Sequence, residues 1–377
     1  MPNQREIARI LGVHQTTVSL ALRGDRSVSA EMTAKVRETA ERLGYRPSAY
    51  VNALMARIRA GKKPPEMGGI AVVVRERTPA EWHGMESYRI CRAGIEERAA
   101  ELGYRAEVFF VDEGEPASGT AASPGPAGVA GAVGARPAPG RRAADSATGA
   151  PYTRVRARDL DRVLQARGIQ GVVLAPPYRG NTSLPLRWER YACVGIGHGW
   201  EPQQLDRVAN DHAQNVLLAF DELARLGRRR IGMVLDPDNA TRRGLKWLAG
   251  FLEAQYRLPR SRRIPFLPAT SSRGQAARLA AFSAWRNTHR PDAILSLTGR
   301  EQVILDNAGL RTPDDILHAC LVRQRNSPLP GVDERNEIIG AAAVELVASQ
   351  IARNELGIPR HPRLTLIDGR WVEGGGQ

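Results

Sequence analysis

Short apolar runs alternate with helical patterns along most of the chain, and this alternation limits the fold more than any other feature. The strand candidates are "GIAVVV" (69–74), "AEVFFV" (106–111), "GVVLA" (171–175), "YACVGI" (191–196), "RIGMVL" (230–235), "AILSL" (293–297) and "HACLV" (318–322). Most of them are continuously apolar, as expected of parallel strands that are covered on both faces. Strands alternating with helices predict a doubly wound α/β fold, and the length of this region suits two lobes better than one.

Three short helices are predicted before this region. The first should run from Arg5 to Leu11, with Ile7, Ile10 and Leu11 facing inward, and Gly12 should end it in a left-handed conformation. A tight turn and a second short helix with polar outer residues follow, which is typical of the helix-turn-helix motif that reads DNA. The alternative is a three-helix bundle whose polar faces are only solvated.

Positive charge is concentrated in the same part of the chain. The formal net charge is +14, and residues 1–63 contain twelve Lys and Arg against five Asp and Glu, which is half of the net charge. An Arg-rich genome composition, the simplest alternative explanation, would spread the charge evenly. We therefore expect a polyanionic partner such as nucleic acid or a membrane surface.

Residues 113–151 interrupt the α/β pattern. In this segment 26 of 39 residues are Ala, Gly or Pro, and almost none is large and apolar. Such a composition cannot bury enough apolar surface to fold by itself. We interpret it as a disordered insertion, either inert or used to bind a partner.

The composition also argues against several classes of protein. Cys91, Cys193 and Cys320 are too far apart for a metal motif or a disulfide framework, which fits a reducing cytoplasm. No apolar run reaches the length of a membrane span, and the first residues do not resemble a secretory signal. The sequence has no G-x-S-x-G motif, and "GIGHG" (195–199) lacks the lysine of a phosphate-binding loop. We therefore expect no metal, no cofactor and no enzymatic activity.

The N-terminal segment resembles the DNA-binding domain of the lactose-repressor (LacI) family over about 45 residues. The motifs that carry the resemblance are "IA..LGV", "TTVSLAL", "VS..T...V" and "A..LGYRP". The resemblance implies that residues 1–46 form a helix-turn-helix domain whose second helix enters the major groove. The residues that it implies for base recognition are Gln15, Thr16 and Leu20. Thr17 and Ser19 suit phosphate contacts better.

Two positions of this domain depart from the family pattern. His14 stands where the family usually has an N-capping serine, and Leu20 stands where it often has a base-reading arginine. Leu20 offers only apolar contact, for instance with a thymine methyl group, so the base preference of the operator is open. Arg23 either reaches a phosphate or base or remains solvated.

Residues 47–67 resemble the family's hinge helix and linker through "PSAYVNALMARIRAGKK" (47–63). Leu54 matches the leucine that, in this family, wedges into the minor groove at the centre of the operator. The alternative is that Leu54 packs on the next domain.

Residues 68–377 resemble the family's effector domain, which is built like a periplasmic sugar-binding protein with two α/β lobes around a ligand. Segments that carry this resemblance include "RGIQGVVLAPP", "VANDHAQNVLLAFDELARLGRRRIGMVL" and "IIGAAAVELVASQI". In such folds the ligand lies at the carboxyl ends of the strands. Trp82 and Tyr88 follow the first strand and could stack on a sugar, although Tyr88 suits the core equally well. Asp211 either contacts the ligand or, more simply, caps a helix.

The resemblance also implies an unusual ligand site. Many members carry an effector-binding arginine three residues before the glycine of "AGF", and the matching residue here is Trp247. Arg242 and Arg243, about one turn earlier, are the candidate substitutes. After "AILSL" this chain reads "TGRE", where the family usually has an asparagine–aspartate pair. A sugar remains the commonest effector class in the family, and a phosphorylated sugar, a nucleobase-like ligand or no ligand stay open.

The sequence therefore predicts an α/β protein with an all-α helix-turn-helix domain, a hinge and a two-lobed effector domain. We expect a cytoplasmic, sequence-specific transcriptional regulator, most simply a repressor. It would bind a roughly palindromic operator as a homodimer and respond to a small-molecule effector, most simply a sugar. The alternative from another class is a sugar-binding module that has no regulatory role on DNA.

Overall fold

The computed structural model describes ten ranges of the chain: 4–22, 28–43, 67–75, 78–112, 142–144, 151–176, 184–199, 204–235, 241–268 and 274–375. The chain divides into two compact units. The smaller unit consists of Met1–Pro65 and Ala352–Asn354, and the larger unit consists of Glu66–Ile351 and Glu355–Gln377.

Three helices make up the described part of the smaller unit: α1 (Gln4–Leu11), α2 (Gln15–Leu22) and α3 (Ala30–Arg42). Gly12 has a φ of 62°, the left-handed conformation predicted for the end of α1. The hydroxyl of Ser29 accepts a hydrogen bond from the backbone N–H of Met32 at 3.2 Å and so caps α3. Buried apolar residues from all three helices form the core: Ile7, Ala8, Val18, Ala21, Val36 and Ala40.

One residue of α1 does not face the core as predicted. Ile10 is 45% exposed, whereas Ile7 is fully buried. Three residues advance a helix by about 300°, which places Ile10 outside the arc defined by Ile7, Ala8 and Leu11.

The larger unit contains two sheets with helices packed against them. Its helices are α4 (Pro79–Gly84), α5 (Glu86–Glu101), α6 (Leu160–Ala166), α7 (His212–Arg225), α8 (Thr241–Arg257), α9 (Gln275–His289), α10 (Gln302–Asn307) and α11 (Asn336–Arg353). Its strands are β1 (Met67–Arg75), β2 (Tyr104–Asp112), β3 (Arg142–Ala144), β4 (Pro151–Arg156), β5 (Ile169–Leu174), β6 (Ala192–Ile196), β7 (Asp206–Asn210), β8 (Ile231–Leu235), β9 (Leu267–Pro268), β10 (Ala293–Ser296), β11 (Leu317–Cys320), β12 (Gly331–Asp333), β13 (Leu364–Ile367) and β14 (Arg370–Val372).

The first lobe is built on an eight-stranded sheet in the order β13-β7-β6-β5-β1-β2-β4-β3. Every neighbouring pair is parallel except β3 and β4. The chain leaves β1 for β2 on one side and returns to β5 on the other, so the strand order reverses beside β1. Such a switch point is where doubly wound sheets bind ligands.

The second lobe has a six-stranded sheet in the order β14-β12-β11-β10-β8-β9, with only the β12–β14 pair antiparallel. The strand order reverses beside β8, which has β9 on one side and β10 on the other. Three segments connect the lobes: β7 leads into α7, β12 leads into α11, and β13 leads into β14. Each lobe therefore contains residues from distant parts of the sequence.

Glycines allow the helices that cover the sheets to approach closely. A Cβ atom at Gly250 of α8 would lie 2.5 Å from the backbone oxygen of Ala213 on α7. At Gly340 of α11, a Cβ atom would overlap the backbone oxygen of Cys91 on α5. The close packing of both helix pairs thus depends on glycine, which has no side chain.

The segment interpreted as a disordered insertion, 113–151, lies mostly outside the described residues. Two parts of it are described, and both are strands: β3 and the first residue of β4. The interpretation is wrong at these positions because β3 forms an antiparallel ladder with β4, which satisfies its backbone polar groups. Met67 was predicted to be the last residue of the linker, but it is the first residue of β1.

Candidate functional sites

The outer face of α2 is the candidate DNA-reading surface. Gln15, its first residue, is exposed, while Thr17 and Leu20 are half-buried. Val18 and Ala21 point in the opposite direction and are fully buried in the three-helix core. The core therefore fixes the helix orientation that leaves Gln15 exposed. Thr16 and Ser19 lie on α2, but the structure does not describe their side chains, and Arg23 and Leu54 lie outside the described residues.

The second candidate site lies between the two lobes, where the carboxyl ends of both sheets meet. Arg325, in the loop after β11, donates its backbone N–H to Glu86 Oε2 at the start of α5 at 3.1 Å. Asn210, at the end of β7, donates from Nδ2 to the backbone oxygen of Glu334, which follows β12, at 3.2 Å. We call this region the cleft.

Two histidines, a tryptophan and a glutamate pack together on one side of the cleft. The ring of Trp247 lies on that of His212, with centroids 4.1 Å apart, and His212 lies 5.5 Å from His198. Nδ1 of His212 is 3.1 Å from Glu334 Oε1, and both side chains are buried. We name these four residues, His198, His212, Trp247 and Glu334, the cleft cluster.

The electrostatics of this cluster favour a neutral His198. Burial lowers the pKa of His198, and the positive charges of Lys246 and Arg207 lower it further against the opposing effect of a hydrogen bond to Asn210. In that bond His198 Nε2 donates to the backbone oxygen of Asn210 at 3.1 Å. A neutral imidazole that donates through one nitrogen keeps the other free to accept a hydrogen bond.

Trp247 brings an unused hydrogen-bond donor to the cleft cluster. Its side chain is 6% exposed, and among the described residues its indole Nε1 has no hydrogen-bond partner. A buried indole N–H normally finds an acceptor. An oxygen-bearing ligand would supply one.

The other residues predicted to bind the ligand have different positions. Trp82 and Tyr88 are buried in the core of the first lobe, and their rings stack on each other with centroids 4.2 Å apart. Asp211 accepts a hydrogen bond from the backbone N–H of Gln214 at 2.9 Å and so caps α7. Its role as a helix cap, the simpler of the two predicted, is therefore observed.

Arg242 and Arg243 lie in the first turn of α8, and the structure does not describe their side chains. His198, His212 and Glu334 were not predicted from the sequence. His198 is part of "GIGHG", and His212 directly follows Asp211. His198 and His212 each lie just after the carboxyl end of a strand. This position was the only feature of the sequence that pointed to them.

Two further features, a metal site and a membrane-spanning helix, are absent from the described residues. No group of three His, Cys, Asp or Glu side chains within them could hold a metal ion. None of the described helices is long and apolar enough to cross a membrane.

Comparison with known proteins agrees with both parts of the molecule. The family model of bacterial regulatory proteins of the lacI family matches residues 4–48. The HTH-type transcriptional regulator PtxS of Pseudomonas putida is 50% identical over 50 residues, which are 13% of this chain and 15% of that protein. PtxS of Pseudomonas plecoglossicida is 25% identical over 364 residues, which are 93% of this chain and 89% of that protein.

A solved structure has the same fold. The transcriptional regulator CelR, solved as a complex with cellobiose, superposes with a TM-score of 0.54 at 17% identity, and the alignment covers 100% of both chains. The N-terminal unit therefore matches the lacI family of bacterial regulatory proteins, and most of the chain is similar to the transcriptional regulator PtxS.

Proposed function

We propose that this protein is a homodimeric, cytoplasmic repressor that binds a roughly palindromic operator and responds to a neutral sugar bound in the cleft. The observation that carries the proposal is that the carboxyl ends of both sheets meet at the cleft, because a ligand there contacts both lobes. Such a ligand can shift the relative populations of open and closed lobes by its difference in affinity for them.

DNA recognition is assigned to the exposed face of α2 and to the hinge. We propose that Gln15, Thr16 and Leu20 contact base edges, with Thr17 and Ser19 on the phosphates. In this proposal residues 1–46 form the DNA-binding domain, residues 47–67 the hinge and linker, and residues 68–377 the effector domain.

The chemistry of the cleft cluster favours a neutral sugar over a charged effector. Trp247 offers an aromatic face and an unused N–H, and His198 offers a neutral imidazole. Apolar sugar faces and sugar hydroxyls suit these groups. A carboxylate or phosphate ligand would instead find Glu334 beside it. The similarity in fold to a regulator that was solved with cellobiose supports the same class of ligand.

The DNA part of the proposal is tested by selecting random duplex DNA on the full-length protein at about 150 mM salt, which suppresses non-specific phosphate binding. We expect a two-fold symmetric motif with two half-sites. A non-symmetric motif would contradict the dimeric arrangement, and the absence of any enriched sequence would contradict specific recognition by α2.

The effector part is tested by calorimetric titration with a panel of neutral mono- and disaccharides, sugar acids and sugar phosphates. The neutral sugars should bind, and Trp247→Phe should weaken their binding about tenfold because the ring remains but the N–H is lost. Trp188→Phe, in the first lobe, is the matched control. Binding of sugar acids alone, with no effect of Trp247→Phe, would refute this assignment.

A further inference from the structure

The outer face of α8 carries apolar side chains that the other described residues leave exposed. Trp247, Phe251 and Ala254 occupy the inner face of this helix and are buried in the second lobe. On the opposite face, Leu245 is 63% exposed, and Leu252 and Tyr256 are 55% and 78% exposed. Single exposed apolar residues are common on protein surfaces, but a continuous stripe of them indicates an interaction surface.

The spacing of the stripe is that of a helix–helix seam. Leu245, Ala249, Leu252 and Tyr256 are exposed and follow one another at intervals of four, three and four residues. This is the spacing of the a and d positions of a heptad repeat, with Leu245 and Leu252 at d and the other two at a. We call these four residues the α8 seam. Its spacing is suited to packing against another helix.

Two charged residues beside the seam indicate which helix that is. Lys246 and Glu253 each follow a d residue, so both occupy e positions, and both are exposed. Lys246 makes no ion pair with any other described residue, and Glu253 Oε1 is held by Arg257 Nη2 of the same helix at 2.5 Å. The two e positions therefore carry opposite charges seven residues apart.

Opposite charges at these positions fit an antiparallel pair of identical helices. In such a pair the a and d residues of one helix face the d and a residues of the other, so that Ala249 lies opposite Leu252 of the second copy. The same register places Lys246 opposite Glu253 of the second copy, and the two-fold symmetry produces this pair twice. In a parallel pair the e positions would instead face g positions, which Leu248 and the buried Gln255 occupy.

We propose that the α8 seam is a self-complementary docking surface through which two copies of this protein associate with their α8 helices antiparallel. The seam extends over twelve residues, or about 18 Å of helix. Its contact area is therefore small compared with the roughly 1,200–2,000 Å² buried by stable protein complexes. The association is weak in dilute solution and gains strength where copies are held close together, since a tethered contact forms at a high effective concentration.

Sedimentation velocity of the full-length protein from about 1 μM to about 1 mM tests the proposal, since a contact this small should lie in the weak range. The sedimenting mass should rise above that of the homodimer with rising concentration. Lys246→Glu and Glu253→Lys should each weaken this step about tenfold, because each places like charges opposite one another twice. The double variant, with both charges exchanged, should associate as the unchanged protein does.

A mixture provides an independent test that does not depend on the stability of either variant. Lys246→Glu has two acidic e positions and Glu253→Lys has two basic ones, so an equimolar mixture should associate more strongly than either variant alone. Glu189→Lys, an exposed charge reversal in the first lobe, is the matched control and should leave the association unchanged.

The apolar part of the seam is tested by Leu252→Lys, with Leu356→Lys, 42% exposed elsewhere on the molecule, as the control. Leu252→Lys should abolish the concentration-dependent step, and Leu356→Lys should retain it. A mass that stays constant up to about 1 mM would overturn the proposal. So would an association that Leu252→Lys and both charge reversals leave unchanged, because the contact would then involve another surface.

Discussion

Acidification should destabilise the larger unit through one buried histidine. His318 on β11 has no exposed surface, and its hydrogen bonds are fully satisfied by a neutral ring. Its Nδ1 donates to Gln302 Oε1 at 2.8 Å, and its Nε2 accepts from the hydroxyl of Ser296 at 2.7 Å. Ser296 Oγ in turn accepts the backbone N–H of Gly299 at 3.3 Å. If Nε2 carried a proton, that proton would point at Ser296 Oγ. The hydroxyl hydrogen of Ser296 would then have to turn away from the ring and into the core.

The size of the effect follows from the pKa. Burial lowers the pKa of His318 from its ordinary 6.5 to about 4. The unfolded chain therefore takes up a proton at higher pH than the folded protein does, and stability falls as the pH falls from about 6.5 to about 4. The whole difference corresponds to about 3 kcal/mol, of which about 2 kcal/mol should already be lost at pH 5.

Urea unfolding followed by tryptophan fluorescence measures this loss in the larger unit, because all six tryptophans lie between residues 82 and 371. His318→Gln removes the titrating group and keeps an amide near Ser296. The unchanged protein should lose about 2 kcal/mol more than this variant between pH 7.5 and pH 5. His361→Gln, at an exposed position, is the control and should behave as the unchanged protein does. Equal losses in the unchanged protein and in His318→Gln would refute the reasoning.

Three further substitutions test other parts of the structure. Gln15→Ala should relax the preference for one base in each half-site and cost about 1–3 kcal/mol at that position, measured by repeating the selection of random duplexes; an unchanged motif would show that Gln15 reads no base. Leu54→Ala should weaken specific binding much more than non-specific binding, measured by titrating operator and unrelated duplexes at the same salt concentration; an equal loss on both duplexes would contradict the wedge. Gly250→Ala should destabilise the larger unit by about 2 kcal/mol, because its Cβ would meet the backbone of Ala213, whereas Gly274→Ala, where a Cβ meets no atom within 4 Å, should have little effect in urea unfolding; equal stability of the two variants would contradict the close packing of α7 and α8.

The central strands could be predicted from sequence because they are uniformly apolar. All seven predicted runs are strands in the structure, with ends shifted by one or two residues. Five of the seven described strands that were missed carry charges, namely β3, β4, β7, β12 and β14. β7 begins with Asp206, which is 1% exposed and looks like a loop residue in the sequence. It is stabilised in the sheet by the backbone N–H and guanidinium of Arg363, at 2.7 and 2.8 Å, and no local pattern reveals so distant a partner.

The candidate sites show the same difference between local and distant signals. The DNA-reading surface is a single helix with its turn, so its motif is contiguous and the outward position of Gln15 could be predicted. The cleft cluster combines His198, His212, Trp247 and Glu334, which are separated by up to 136 positions in the sequence. Only the return of the chain between the lobes brings these residues together, and Trp247 was the only one of the four predicted from the sequence.

The exchange of strands and helices between the lobes has a consequence for synthesis on the ribosome. The first lobe contains β13 in its sheet and α11 on its face, and the second lobe contains β14, all of them near the C-terminal end of the chain. Neither lobe can reach its full set of contacts until residues 336–372 have emerged. The described core of the three helices, by contrast, lies entirely within the first 43 positions. On a growing chain the three-helix core can therefore form while both lobes are still unfinished.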